Sequence, residues 1–224
     1  MPDPEVFVPK PSKTQSRIHY DLEAGIMTEK STGKRVIWLA EDFAQAMHVV
    51  ASRMLRAGAP AMLERMGFFC GESMFREAEK HLLASRPSLK RIHDLSVQEF
   101  VGYVDEIWSQ NGLGRFEMSQ SFERIFVNLY FSVFSKVLEK TGKPYDHIYA
   151  GMYSGLFSAL LGQKVACVEI MCVSQGYDYC RFLLGKEESI EPVRDWVDSG
   201  VPYEEIIEKL QGMAPGAGLR STAG

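Results

Sequence analysis

The chain has 224 residues, of which 46% are hydrophobic and 24% charged, and its formal net charge is −4. This composition is that of a globular protein, and the length suits one domain of about 150 to 200 residues with an added dimerising or capping segment. The net negative charge and the dispersed basic residues argue against nucleic-acid and anionic-membrane partners, because phosphate binding needs a concentrated basic surface. No run reaches the ~18 apolar residues of a membrane helix and the N-terminus lacks signal-peptide order, so we expect a cytoplasmic protein.

The first 95 residues divide into an arm, a hairpin and a pair of helices. Residues 1–17 carry four prolines and many polar residues, which predicts a flexible arm. Residues 18–39 predict a hairpin, since apolar residues flank a Ser-Thr-Gly turn at 31–33. A helix follows from Glu41 to Gly58, and a second helix covers residues 61–83. We expect residues 18–95 to form the dimerisation unit.

The spacing of apolar residues supports the prediction of these two helices. The first helix repeats apolar residues at helical spacing, and so does one side of the second. These residues are Phe43, Ala46, Met47, Val50, Met54 and Leu55 on the first helix, and Met62, Leu63, Met66, Phe69, Cys70, Met74 and Ala78 on the second. Gly67 and Gly71 lie one turn apart on the second helix and leave room for the close approach of another backbone.

The second half of the chain alternates helices and strands. Ser96 and Glu99 form a capping-box pattern that opens a helix ending near Gln110, and a strand is predicted over residues 114–122. Residues 125–138 fit either element, and their dense apolar face favours a helix. A helix rich in small residues covers residues 146–161, and two strands cover 164–171 and 179–184. We expect C-terminal helices within residues 187–212 and a disordered tail over 213–224.

The hairpin of the last two strands carries the residues with the most specific chemistry. Glu169 and Cys172 precede its turn and Cys180 follows it, so the hairpin can bring a carboxylate and two thiols together. Thiolates are preferred zinc ligands and a carboxylate can complete a tetrahedral site. The spacing alone also fits two ordinary buried cysteines, because Cys is among the most often buried residues. Cys167 shares the strand phase of Glu169 and is either a further ligand or a pocket residue.

The pattern around this hairpin resembles the 4-vinyl-reductase domain. It consists of Gly151, Gly155, Leu161, Gly162, Glu169, Cys172, Gly176, Cys180 and Phe182. The same domain forms part of the effector-sensing module of phenol- and toluene-responsive regulators, and the helices upstream are similar to the dimerisation region of those sensors. The resemblance spans roughly residues 18–185.

This resemblance implies a fold, a metal and a ligand. The fold is an α+β domain with an antiparallel sheet packed by helices, like that of the related trafficking-complex subunits, and residues 96–186 form its ligand- and zinc-binding part. The resemblance implies zinc bound by Glu169, Cys172 and Cys180, with the fourth ligand open among Asp146, His147 and Cys167. It also implies a pocket for a small hydrophobic or aromatic molecule, lined by Phe116, Met118, Met152, Leu156 and Cys167.

The function implied is that of a stand-alone homodimeric binding protein acting as a sensor, carrier or accessory subunit. The chain contains no GxxxxGK[ST] motif for the ATPase that accompanies this module in the regulators. One alternative is an enzyme or assisting factor in vinyl reduction of a (bacterio)chlorophyll precursor, and another is a structural adaptor in a larger complex. No residue is assigned a catalytic role, and the enzymatic alternative stays open.

Overall fold

The computed structural model of the chain describes residues 5–7, 18–30, 33–37, 39–122, 124–137 and 142–213. The strands are β1 (Glu5–Phe7), β2 (Ile18–Asp21), β3 (Ile26–Glu29), β4 (Arg35–Val36), β5 (Arg115–Ser121), β6 (Arg124–Tyr130), β7 (Ala166–Met171) and β8 (Cys180–Gly185). The helices are α1 (Glu41–Leu55), α2 (Ala59–Ser85), α3 (Val97–Gln110), α4 (Val133–Val137), α5 (His147–Leu161), α6 (Glu187–Asp198) and α7 (Tyr203–Gly212). Among these described helices, none is both long and apolar enough to cross a membrane.

An antiparallel five-stranded sheet in the order β1-β5-β6-β8-β7 forms the centre of the fold. One sheet face packs against α3 and α5, with α2 packed on α5, and the opposite face packs against α6 and α7. This confirms the predicted α+β class, in which an antiparallel sheet is covered by helices. The first strand of the sheet order, β1, comes from the segment predicted as a flexible arm, and the rest of that segment lies outside the described residues. The predicted tail also lies outside them beyond Met213.

The helix predicted over residues 125–138 is wrong, because its first part is the central strand β6. Phe126 contacts the cluster around α6 and α7, whereas Val127 and Leu129 contact the main core on the opposite face. A strand that is buried on both faces forms a continuous apolar run, which periodicity alone does not distinguish from a buried helix. Only the short helix α4 follows, after Tyr130.

The helices α2 and α5 cross at backbone contact. A Cβ atom added at Gly67 would lie 2.0 Å from the carbonyl oxygen of Ile148, and one added at Gly151 would lie 2.0 Å from that of Glu64. Along the contact the residue numbers increase together on both helices, from Glu64 with Gly151 to Phe68 with Gly155, so the two helices run parallel. The close approach predicted from Gly67 is thereby confirmed, with α5 as the partner.

The N-terminal part forms a separate three-stranded sheet, β2-β3-β4, followed by α1. The apolar faces predicted to be core on α1 and α2 are partly wrong. Helix α1 buries Ala44, His48 and Ala51, and α2 buries the stripe that contains Leu63 and Phe75. The predicted core residues that are instead exposed are Phe43, Ala46, Val50, Met54, Leu55, Met66, Phe69 and Cys70. Both helices are therefore apolar on a second face.

Candidate metal centre and adjoining aromatic core

Four acidic side chains meet in the interior where α5 begins and the β7–β8 hairpin turns. They are Asp146, Glu169, Cys172 and Cys180, and each offers one ligand atom within 4.8 Å of the others. Glu169 is 5% exposed and the other three are fully buried. This cluster could hold a metal ion, and it contains the three hairpin residues for which the sequence predicted that role.

Local backbone structure brings the four residues together. Glu169 lies in β7 next to a break in the β7–β8 register, which redirects the side chains that follow. Cys172 caps a short 3₁₀ helix whose end, Gly176, has a φ of 101°. This left-handed conformation, which glycine adopts readily, lets the chain return to Cys180 at the start of β8. Asp146 comes from a different part of the chain, at the N-cap of α5.

The distances within the cluster fit a tetrahedral ion. The two sulfur atoms lie 3.7 Å apart, and Cys180 Sγ lies 3.4 Å from Asp146 Oδ2. Two thiolates at about 2.3 Å from a tetrahedral Zn²⁺ would be about 3.8 Å apart, and a thiolate and a carboxylate oxygen slightly closer. The donor set of sulfur and oxygen atoms is also one that Zn²⁺ accepts.

Glu169 and Asp146 each have one carboxylate oxygen with hydrogen-bond partners and one without. The backbone N–H groups of Tyr145 and Asp146 donate to Glu169 Oε2, both at 2.7 Å, while Glu169 Oε1 is buried without a hydrogen-bond partner. The hydroxyls of Ser132 and Ser135 donate to Asp146 Oδ2, while Asp146 Oδ1 is buried without a partner. Partnerless carboxylate oxygens are rare in native proteins, and two of them in one buried cluster are atoms that a cation could engage.

The pKa values of the four cluster residues also fit a cation site. Burial raises the pKa of Asp146 to about 7 and raises that of Glu169 well above its ordinary value, and in each case the neighbouring Cys172 adds to the rise. The Cys180 thiol donates to Cys172, which lowers the pKa of Cys172 to about 5 and raises that of Cys180. The four buried groups thus lie so close together that ionising one of them disfavours ionising the others. A divalent cation would relieve this repulsion.

The structure does not bring His147 and Cys167 into the cluster. His147 Nδ1 lies 3.7 Å from Glu64 Oε1, and Arg194 donates to both oxygens of the same Glu64 carboxylate at 2.9 Å. Cys167 lies in β7 beside this group, and its carbonyl accepts from Arg194 Nη2 at 2.9 Å. Of the three candidates for the fourth ligand, Asp146 is therefore the one that lies in the cluster with the hairpin residues.

The residues predicted to line a ligand pocket lie together between α5 and the sheet, in the main core. None of Phe116, Met118, Met152, Leu156 and Cys167 is more than 8% exposed. An aromatic cluster fills the space among them and centres on Tyr153, whose ring stacks on Trp108 at 5.4 Å and meets Phe182 edge-on at 5.0 Å. A cavity of about 10 Å³ lies beside Trp108 and Leu156.

Two hydrogen-bond donors in this aromatic cluster have no partner. Trp108 Nε1 and the Tyr153 hydroxyl are both buried, and neither makes a hydrogen bond. Burial raises the pKa of Tyr153 well above its ordinary value, so the phenol stays a neutral donor. The sequence did not single out either residue for ligand contact, because an aromatic residue on an apolar helix face has the same pattern whether or not its polar atom is satisfied.

The fold and the cluster together define an α+β domain with a buried carboxylate–thiol centre beside an aromatic core. Residues 125–186 match the family model of the 4-vinyl-reductase domain, which confirms the predicted resemblance over that segment. A comparison with curated proteins finds no match.

Three solved structures are similar to this chain. The phenol-responsive sensory domain of the transcription activator PoxR is 17% identical, with a TM-score of 0.60 over 80% of this chain and 90% of that one. At this identity the similarity shows a shared fold. A vinyl-4-reductase family protein from Methanocaldococcus jannaschii is 15% identical, with a TM-score of 0.45 over 67% of this chain and 83% of that one. A trafficking protein particle complex subunit 3 from Naegleria fowleri, covalently bound to palmitic acid, is 16% identical, with a TM-score of 0.48 over 64% and 92%.

Proposed function

We propose that this protein binds a small aromatic molecule in the core beside a structural zinc ion and acts as a dimeric sensor, carrier or accessory subunit. The observation that carries the proposal is the pair of partnerless donors, Trp108 Nε1 and the Tyr153 hydroxyl, inside an aromatic cluster. Leaving a buried donor without a partner costs about 1 to 3 kcal/mol, so an acceptor that reaches both donors would recover that free energy. The ligand class is therefore an aromatic molecule with one hydrogen-bond acceptor.

Zinc has a supporting role in this proposal. Glu169, Cys172, Cys180 and Asp146 would hold the ion through two thiolates and one oxygen of each carboxylate. When bound, Zn²⁺ supplies charge neutralisation and a rigid crosslink, and all four positions are taken by protein ligands. Asp146 begins α5, the helix that also carries Tyr153 in its second turn. Fixing the start of α5 against the hairpin therefore fixes the ring that contacts the ligand.

Metal analysis of the purified chain tests the zinc site. We expect about one zinc per chain, and we expect the Cys172→Ala, Cys180→Ala double variant and Asp146→Ala each to lose it. The matched controls are Cys167→Ala and His147→Ala, which lie outside the cluster and should keep the metal. A wild type that is stable without metal, or zinc that is retained in the double variant, would contradict the site.

The ligand site is tested with two compounds of the same shape. Acetophenone carries a carbonyl acceptor, and α-methylstyrene carries a CH₂ group in its place. We expect acetophenone to raise the melting temperature more than α-methylstyrene does, and the double variant Trp108→Phe, Tyr153→Phe to lose this preference. Trp196→Phe, on the opposite sheet face, is the control that should keep it. No shift with either compound, or a preference that survives in the double variant, would overturn the proposal.

The cavity of about 10 Å³ is smaller than either compound, so binding requires the core to adapt. Met118 and Met152 are two of the predicted pocket residues, and methionine changes rotamer more easily than a branched side chain. A ligand changes the population of a conformation only by binding it better than the alternative. An opened core would therefore be the state that the ligand selects, which is what a sensor requires.

A further inference from the structure

A groove lies outside the core, between the N-terminal sheet and α2. The groove has a volume of about 490 Å³, which falls within the 300 to 1,000 Å³ range typical of small-molecule sites. One side of α2 forms its floor, β3 and β4 form its wall, and the C-terminal end of α3 closes one end. It contains none of the five predicted pocket residues.

Part of the groove lining is apolar. Phe69 and Met74 come from α2, Ile107 from α3, and Val36 from the facing strand β4. Phe69 is 54% exposed, and the guanidinium of Arg65 lies 4.3 Å from its ring centroid, so the ring offers a ligand only the apolar surface that Arg65 leaves uncovered. Met74 and Ile107 also line the small cavity beside Trp108, so one layer of side chains separates the groove from the aromatic core.

The groove is lined by two acids, Glu29 and Glu77, and two cations, Lys34 and Arg35, and an anion would be drawn to the Arg35 end. Lys34 Nζ lies 2.8 Å from Glu77 Oε1, which joins the wall to the floor, and Glu29 lies beside this pair. Within the described part of the chain, no hydrogen bond or ion pair engages the Arg35 guanidinium. A guanidinium is a planar, permanently charged donor that binds a carboxylate or sulfonate in bidentate fashion.

A partnerless polar atom provides a second, independent indication of a ligand. His81 lines the groove one helical turn beyond Glu77, and its Nδ1 atom is buried without a hydrogen-bond partner. Ser73 adds a hydroxyl to the same floor. A ligand with polar atoms at one end could satisfy these groups while its apolar part covers Phe69 and Met74.

We propose that the groove between β3–β4 and α2 binds an organic monoanion with an apolar aromatic body, whose acidic group pairs with Arg35. The proposal is independent of the aromatic-core site and of the zinc ion. Because the ligand would contact both the N-terminal sheet and α2, it would also strengthen the attachment of that sheet, which the exposed Lys34–Glu77 pair secures only weakly.

The test uses two fluorescent probes that differ in one group. 8-Anilinonaphthalene-1-sulfonate carries the anion, and N-phenyl-1-naphthylamine has the same ring system without it. We expect Arg35→Ala to weaken binding of the sulfonate probe to the full chain at least tenfold and to change binding of the neutral probe less than twofold. Lys164→Ala, which removes an exposed cation that does not line the groove, is the control and should change neither.

A second variant tests the location of the site. Ser73→Trp places a large ring on the groove floor and should abolish saturable binding of both probes, with circular dichroism checking that the fold is kept. Equal sulfonate affinity in wild type and Arg35→Ala, or probe binding that survives Ser73→Trp, overturns the proposal. The Trp108→Phe, Tyr153→Phe variant should still bind the sulfonate probe, so failure of the aromatic-core site and failure of the groove site are distinguishable.

Discussion

Glu169 illustrates how single residues orient the ligands of the candidate metal centre. Two backbone N–H groups at the start of α5 hold one of its carboxylate oxygens at 2.7 Å, which orients the other oxygen. Ser132 and Ser135 hold one oxygen of Asp146 in the same way. Partners behind a ligand that fix its orientation are a general property of protein metal sites. The serines lie on and just before α4, so this short helix supports the centre without contributing a ligand.

His48 is a buried histidine from which we expect a measurable pH dependence. It is fully buried between the rings of Phe134 and Tyr145, and neither ring nitrogen has a hydrogen-bond partner. Burial, together with His147, lowers its pKa to about 4 from an unfolded value near 6.5. The unfolded chain therefore binds the proton more readily than the folded protein does. Stability contributed by neutral His48 is complete above pH 6.5 and falls by about 3 kcal/mol as the pH drops to 4.

The substitution His48→Phe removes this titration and loses no hydrogen bond. Denaturant unfolding of wild type and variant at intervals between pH 4 and 7 measures the difference, and we expect the variant to lose less stability over that window by about 3 kcal/mol. His93→Gln, at an exposed position, is the control and should follow the wild type. Parallel pH profiles for His48→Phe and wild type would show that His48 is not the titrating group.

At the scale of elements, the crossing of α2 and α5 is the contact that fixes the site. Helix α5 carries Asp146 at its start and Tyr153 in its middle, and α2 meets it at glycines on both helices. A methyl group at Gly67 or Gly151 would meet a backbone carbonyl at 2.0 Å, which no side-chain movement relieves. Anything that shifts α2 should therefore shift both the metal centre and the aromatic core.

The substitution Gly151→Ala tests the importance of this crossing. Because the methyl group forces the two backbones apart, we expect the free energy of unfolding to fall by at least about 2 kcal/mol. Gly102→Ala on α3 is the matched control, since a methyl group there meets nothing within 4 Å. The control should stabilise the protein by about 0.5 to 1 kcal/mol, as alanine is the better helix former. Equal effects at the two positions, measured by urea unfolding, would contradict the expected backbone contact.

The elements that sequence predicted well are those with local signals. The capping box of Ser96 and Glu99 marks the start of α3, and the pattern of Glu169, Cys172 and Cys180 marks the hairpin whose side chains the structure brings into one cluster. The wrong element is β6, whose two-sided burial depends on helices more than about 50 residues further along the chain. The partnerless atoms of Trp108 and Tyr153 could not be predicted either, because only the assembled core determines whether a buried donor finds an acceptor.

At the scale of the whole molecule, the N-terminal helices present more apolar surface than a monomer needs. One face of α1 is apolar and exposed, with Phe43 54% exposed, Val50 51% and Met54 76%. Another face of the same helix is buried. A helix that is apolar on two faces has an additional packing partner in most proteins. Because residues 18–95 are predicted to be the dimerisation unit, we expect this partner to be a second copy of the chain. The dimer remains a prediction.

Light scattering coupled to size-exclusion chromatography tests the dimer. We expect the wild type to elute at twice the chain mass of 25.3 kDa, and Met54→Glu and Phe43→Glu to elute as monomers, because a buried charge without a partner opposes association. Val97→Glu is the control, since Val97 is also exposed but lies on α3, and glutamate is favourable in the first turn of a helix. The zinc content of the monomeric variants should stay at about one per chain, because the metal centre is built within one chain. A wild type that is monomeric at micromolar concentration, or a dimer that survives both substitutions, would remove α1 as the interface.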